Sequence, residues 1–253
     1  MLCFIVTQSF AQGFLDFHFK SNNINGAIVI FDEDKNQWIF NDDKEVFWNT
    51  PIASHFHLWQ TLVGLEMKVF TMNEIDEYKW DGVKRSYFAE RRVSWNSNMN
   101  LSEALQHKND YYFSQLKNSL TKEVYATTIE KSNLLSEVKK NNIPAFWNFV
   151  GLTNPNKMIL FLRDLYHKKL PFNQESQTYL LNKLSLNKNA LVLTSSTSYL
   201  GNKILWTIGV INMEKKSVFF SYRTQLSVEN NVNDEYLQRR DRVLVDIFES
   251  LGY

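Results

Sequence analysis

Pro51-Ile52-Ala53-Ser54-His55-Phe56-His57 opens an apolar run in which Phe56, Trp59, Leu62, Val63 and Met67 recur at helical spacing. The spacing predicts a helix from Ala53 to Phe70, with Thr50-Pro51-Ile52-Ala53-Ser54 as its entry turn, so Ser54 sits near the helix N-terminus. A serine there has its Oγ beside backbone N–H groups that lack intrahelical partners, an arrangement able to stabilise an oxyanion. His57 lies three residues on, on the same helical face, and an imidazole of ordinary pKa near ~6.5 suits a general base. The same residues also fit a plain structural reading, with Ser54 as a helix cap and His57 as a packing residue.

Upstream, Ile24-Asn-Gly-Ala-Ile-Val-Ile-Phe31 is rich in β-branched residues, is followed by Asp32-Glu-Asp-Lys-Asn36, and leads into Gln37-Trp-Ile-Phe40. That is the pattern of a β-hairpin. Downstream, apolar spacing predicts helices over 101–122, 127–139, 156–168 and 174–184. Runs rich in β-branched and aromatic residues predict strands at 191–194, 204–211 and 217–222. Leu237, Val243, Leu244, Ile247, Phe248 and Leu251 predict a closing helix over 236–251. The expected class is α+β: an antiparallel sheet formed by N- and C-terminal strands, flanked by helices, with a helical lobe in the middle of the chain.

Composition narrows the function. With 44% hydrophobic and 22% charged residues among 253, the chain is suited to a packed core and not to disorder. The 28 Lys+Arg against 27 Asp+Glu give a net charge of +1, so there is no basic field for nucleic acid. The single Cys3 excludes an intrachain disulfide framework and Cys-rich metal sites. Residues 1–12, ending in Ser9-Phe-Ala11-Gln12, resemble the tail of a secretory signal peptide without its charged start; an ordinary buried first strand or helix is the alternative. Residues 13–253 are expected to form one domain, and no stretch approaches the ~18–20 apolar residues of a membrane span.

Other motifs carry less. Ser-x-x-Lys occurs at Ser114–Lys117, Ser119–Lys122, Ser136–Lys139 and Ser185–Lys188, in or beside amphipathic helices where lysines are solvated. His55 and His57, with His107 and Asp110, could be assembled into a metal site, but helical residues two apart point in different directions, so none is expected. Gly-rich phosphate loops, Gly-x-Ser-x-Gly elbows and His-Glu-x-x-His are missing from the sequence. No cofactor is implied.

Three stretches together carry a resemblance: Pro51–His57, Tyr78-Lys-Trp-Asp-Gly-Val-Lys-Arg85, and Trp95-Asn-Ser-Asn-Met-Asn-Leu-Ser-Glu-Ala-Leu105. In order and spacing the chain resembles the class D serine β-lactamases, of the penicillin-recognising serine fold shared with transpeptidases. Phe161–Phe172, Trp206–Gly209, Val218–Phe220 and the terminal helix extend the resemblance from about Ile24 to Gly252. It implies that Ser54 matches the acylated nucleophile. The lysine of Ser-x-x-Lys, carbamylated in that class to act as base, falls on His57, and imidazole cannot form the carbamate.

By the same resemblance, the second motif (Ser-x-Val or Ser-x-Asn) falls on Lys108-Asn109-Asp110, and the Lys-Thr-Gly motif falls around Ser195-Ser196-Thr197-Ser198-Tyr199. The loop before it is shortened to 139–147, where Trp147 matches a supporting tryptophan but Tyr-Gly-Asn does not. The arginine that in many members binds the substrate carboxylate is not at its expected place, and Arg223 lies near enough in sequence to substitute for it. Asp110, Trp147, Ser196, Thr197, Ser198 and Arg223 are thus expected to contact substrate, and Ser54, with His57 or Lys108, to be catalytic. The altered motifs imply impaired or lost β-lactam hydrolysis, leaving a binding or interaction module for a β-lactam, a peptidoglycan-like ligand or a protein partner. An active acyl hydrolase, or a slowly acylating β-lactam sensor, is the alternative. A periplasmic or secreted address is implied as well.

Overall fold

The computed structural model describes residues 13–85, 93–136, 151–184, 189–213, 216–230 and 232–253. Helix α1 (13–21) precedes strands β1 (Asn25–Asp32) and β2 (Gln37–Phe40), helix α2 (Asp43–Phe47) and strand β3 (Thr50–Pro51). A 3-10 turn (Ala53–His55) then feeds α3 (Phe56–Glu66). The lobe that follows holds α4 (Leu101–Gln106), α5 (Asp110–Phe113), α6 (Lys122–Ser132), β4 (Leu152–Thr153), α7 (Pro155–Tyr166) and α8 (Gln174–Leu184). Strands β5 (Ala190–Tyr199), β6 (Asn202–Met213) and β7 (Lys216–Ser227) and helix α9 (Asp234–Leu251) complete the chain.

Five strands form one sheet in the order β2-β1-β7-β6-β5, every neighbouring pair antiparallel. The first long strand therefore lies beside the last, as the α+β reading expects. Alternation along β1 explains the layers, because successive side chains of a strand point to opposite faces. Ala27, Val29 and Phe31 face a core that includes Trp59 and Leu62 of α3 and Phe161, Leu162 and Leu165 of α7. Ile28 and Ile30 face the other way, against Leu15 and Phe19 of α1 and Val243, Ile247 and Phe248 of α9. None of the described helices is long and apolar enough to cross a membrane.

The helix expected over 101–122 is divided. It breaks at Lys108, whose φ is +50°, and the Asn109 side chain caps α5 by accepting from Tyr112 N–H at 3.1 Å. Trp95 Nε1 donates to His107 O at 3.0 Å, taking a carbonyl that a continuing helix would use. The helix expected over 127–139 starts earlier, capped by Thr121, and stops where Asn133 adopts φ +52°; residues 137–139 lie outside the described set. Strand β5 runs on past Thr194 to Tyr199, so the Ser195–Tyr199 stretch is sheet paired to β6. Residues 1–12 and Trp147 also lie outside the described residues.

Candidate functional site

Ser54 is placed by a short lever of local structure. Strand β3 pairs with β4, and Ile52 N–H donates to Gly151 O at 2.9 Å. Trp206 Nε1 of β6 holds Pro51 O at 3.0 Å. Ala53, buried, then takes φ +55°, a left-handed conformation that costs a non-glycine residue about 1 kcal/mol or more and is held only by its surroundings. The turn presents Ser54 to a cavity of about 320 Å³, lined also by Lys108, Asp110, Thr194, Ser195 and Trp206. A second cavity of about 430 Å³, walled by apolar residues including Leu58, Leu105 and Leu184, meets the first at Ser54, Lys108 and Thr194. Ser54 therefore stands between two chambers of one cleft.

The two histidines beside it go separate ways. The His57 ring is buried, stacks on Phe113 with centroids 4.2 Å apart, and places Nε2 2.9 Å from Asp110 Oδ1. His55 is buried on the sheet side, with Nδ1 3.0 Å from Ser195 Oγ of β5. Burial, reinforced by the positive charge of Lys108 and by His57, pushes the His55 pKa down to about 3, so its imidazole is neutral at physiological pH. Lys108 reaches from the break between α4 and α5 across the cleft and donates from Nζ to Thr194 O at 2.6 Å.

Of the remaining expected contacts, Asp110 and Ser196 line the Ser54 cleft. Thr197 and Ser198 lie farther along β5, outside that lining. The structure does not bring Arg223 to the cleft. Its side chain is fully buried on the sheet face that also carries Trp206, donating to Trp48 O at 2.8 Å and Glu45 O at 2.9 Å and pairing with the Glu45 carboxylate. Burial lowers its pKa to about 10, although Glu45 opposes the shift. Arg223 thus ties α2 to β7 instead of facing a ligand.

Sequence reasoning missed Arg240. It sits on α9 among the charged run Arg239-Arg240-Asp241-Arg242, which reads as an ordinary solvated face. In the fold it is buried at the cleft wall, Nη2 donating to Thr207 Oγ1 at 2.7 Å and Nε to Thr224 Oγ1 at 3.0 Å. Ser195 is the other addition, since its contact with His55 spans 140 positions of the chain. Only the register of β5 against β6, which turns Ser195 inward opposite Trp206, produces that contact.

No family model matches the sequence. Solved structures do. A class D β-lactamase from Sebaldella termitidis superposes with a TM-score of 0.79 at 24% identity, covering 94% of this chain and 95% of that one. The chain has the fold of the class D β-lactamases. The class D enzyme FUS-1 (OXA-85) of Fusobacterium nucleatum subsp. polymorphum gives a TM-score of 0.78 at 22% identity over 94% and 97% of the two chains. Among curated proteins, the sequence is similar to the β-lactamase OXA-48 of Klebsiella pneumoniae, 23% identical over 85% of this chain and 81% of that protein. It is also similar to the probable β-lactamase YbxI of Bacillus subtilis, 25% identical over 94% and 84%. In the class D fold the match is of architecture, while the chemistry at Ser54 rests on this chain's own residues.

Proposed function

We propose that this protein is a class D β-lactamase-like binding protein whose β-lactam hydrolysis is lost or strongly impaired. The observation that carries the reading is the hydrogen bond from Lys108 Nζ to Thr194 O. Strand β5 is the edge of the sheet, and the unpaired carbonyls of an edge strand are where an extended ligand would hydrogen-bond. Here one of them, beside Ser54, is held by a cation from the opposite lobe. The base position supports the same reading, because His57 replaces the lysine that the resemblance requires for carbamylation. Losing one general base lowers acid–base catalysis by about 10²–10⁴-fold. The signal-like residues 1–12 support a periplasmic or secreted address, with a β-lactam or peptidoglycan-like compound, or a protein, as occupant of the cleft.

A second reading has its own observation. Asp110 Oδ1 lies 2.9 Å from His57 Nε2, and an imidazole beside a carboxylate, three residues from a serine, can accept a proton. In that case Ser54 acylates and deacylates slowly, as a sensor or a weak hydrolase. Intact-protein mass spectrometry after incubation with a penicillin and a carbapenem separates the two. The first reading expects no drug-sized adduct and no turnover of a chromogenic β-lactam. A stable adduct on wild type, lost in Ser54→Ala, supports the sensor, and multiple turnover lost in Ser54→Ala overturns the first reading.

A further inference from the structure

We propose that the apolar chamber beside Ser54 holds the chain of an aliphatic monocarboxylate, with its carboxylate at Lys108. This deepens the binding reading of the same cleft by naming a ligand class, and rests on that reading only in taking the cleft as a place where ligands bind. The chamber, of about 430 Å³, lies between α4, the end of α8 and the first half of edge strand β5. Its volume is that of a site for a small organic ligand, roughly 300–1,000 Å³.

The walls are apolar and within a ligand's reach. Val192 of β5 is 40% exposed, and Leu105 of α4, Leu184 of α8 and Leu193 of β5 are half-buried, all four on the lining. Apolar side chains left partly open to water favour an apolar occupant that covers them. None of the described lining residues is Phe, Tyr or Trp, and the rings of His55 and His57 at the floor are buried. With no aromatic face to stack on, the walls suit an aliphatic chain better than an aryl group.

The charge of the lining selects the other end of the ligand. Its cations are Lys108 and Lys183, and none of the described lining residues is Asp or Glu. Lys183 pairs with Glu74, which stands outside the lining, so the charge at that end is balanced. Lys108, at the junction with the polar chamber, donates to a neutral carbonyl, and its positive charge is felt at the chamber floor, where it helps to lower the pKa of His55. An ammonium group carries three N–H donors, so it can hold a carbonyl and a carboxylate together. One cation at the mouth of an aliphatic chamber matches a molecule with a single negative charge at one end and an alkyl chain at the other. A dianionic phosphate or a cationic amphiphile matches it less well.

Isothermal titration of the full chain, and of its Ser54→Ala variant, with hexanoate, octanoate and octylammonium tests the site. Octanoate should bind both proteins, about fifteenfold tighter than hexanoate for its two extra methylenes, and octylammonium should bind neither. Lys108→Met should weaken octanoate about tenfold or more and erase its advantage over octylammonium. Val192→Asp, which sets a carboxylate in the exposed wall, should weaken it as much, while Val245→Asp on the exposed face of α9 leaves it unchanged. Failure of octanoate to bind, equal affinity for octylammonium, or binding indifferent to Lys108→Met and Val192→Asp overturns the proposal and leaves the reading of Ser54 as it stands. A β-lactam adduct or turnover on wild type bears on that reading alone, because the carboxylate titration is also made on Ser54→Ala.

Discussion

His55 makes the stability of this protein sensitive to acid in a way that one substitution should expose. Its ring is buried against β5, and burial, the largest cause, together with Lys108 and His57, lowers its pKa from 6.5 to about 3. Between those two values the unfolded chain binds the proton and the folded chain does not, so stability is full above pH 6.5 and falls as the pH falls toward 3. At about 1.36 kcal/mol per unit, moving from pH 7 to pH 4 removes about 3 kcal/mol, a large fraction of the ~5–15 kcal/mol of a whole domain. His55→Asn removes the titrating group and leaves every other histidine in place. Urea unfolding of both proteins from pH 7 to pH 4 should show wild type losing about 3 kcal/mol more than the variant across that range. The variant starts lower, because it disturbs the contact to Ser195, but its slope with pH is the shallower one. Parallel slopes would refute the argument, meaning that His55 is solvated or takes up its proton without penalty in the folded state.

Three further outcomes follow from the same contacts. Arg223→Met leaves Glu45 and the carbonyls of Trp48 and Glu45 without their buried partner and should cost about 3–5 kcal/mol by chemical denaturation, with little change in ligand binding at the cleft. Lys108→Met removes the bridge to Thr194 O and should lower stability by only about 1–2 kcal/mol, since the side chain is half-exposed, while freeing the strand edge so that a drug-sized adduct forms on Ser54 where wild type forms none; mass spectrometry over time reads it. Leu162→Ala, in the fully buried core between α7 and the sheet, should cost about 2–5 kcal/mol in unfolding free energy.

Much of the fold is legible in local pattern. The β1–β2 hairpin is written in a β-branched run and a polar turn, and α7, α8 and α9 match their apolar spacing to within a few residues. Several boundaries are signalled by capping residues, such as Asn154 with Pro155 at α7 and Asn233 at α9. The division of the expected 101–122 helix is harder to see. It depends on Trp95 reaching His107 O, and spacing within the helix carries no trace of a side chain twelve positions away.

The sequence by itself determined the types of most of the longer elements, the class of the fold, and the setting of Ser54 near the N-terminus of a helix, because these follow from short-range periodicity and backbone chemistry; that Ser54 sits in a 3-10 turn ahead of α3, after a left-handed Ala53, did not follow from them. Only the tertiary structure decided what each charged or polar group does. It set His57 against Asp110, His55 against Ser195 and Lys108 against Thr194 O. It also turned Arg223 into a buried tie and brought Arg240 to the cleft wall. Each partner comes from a distant segment, and a side chain's partner is fixed by which faces the sheet and helices bury together. Composition leaves that choice open, since the same arginine can be a solvated surface group, a structural clamp or part of a cleft until packing selects one.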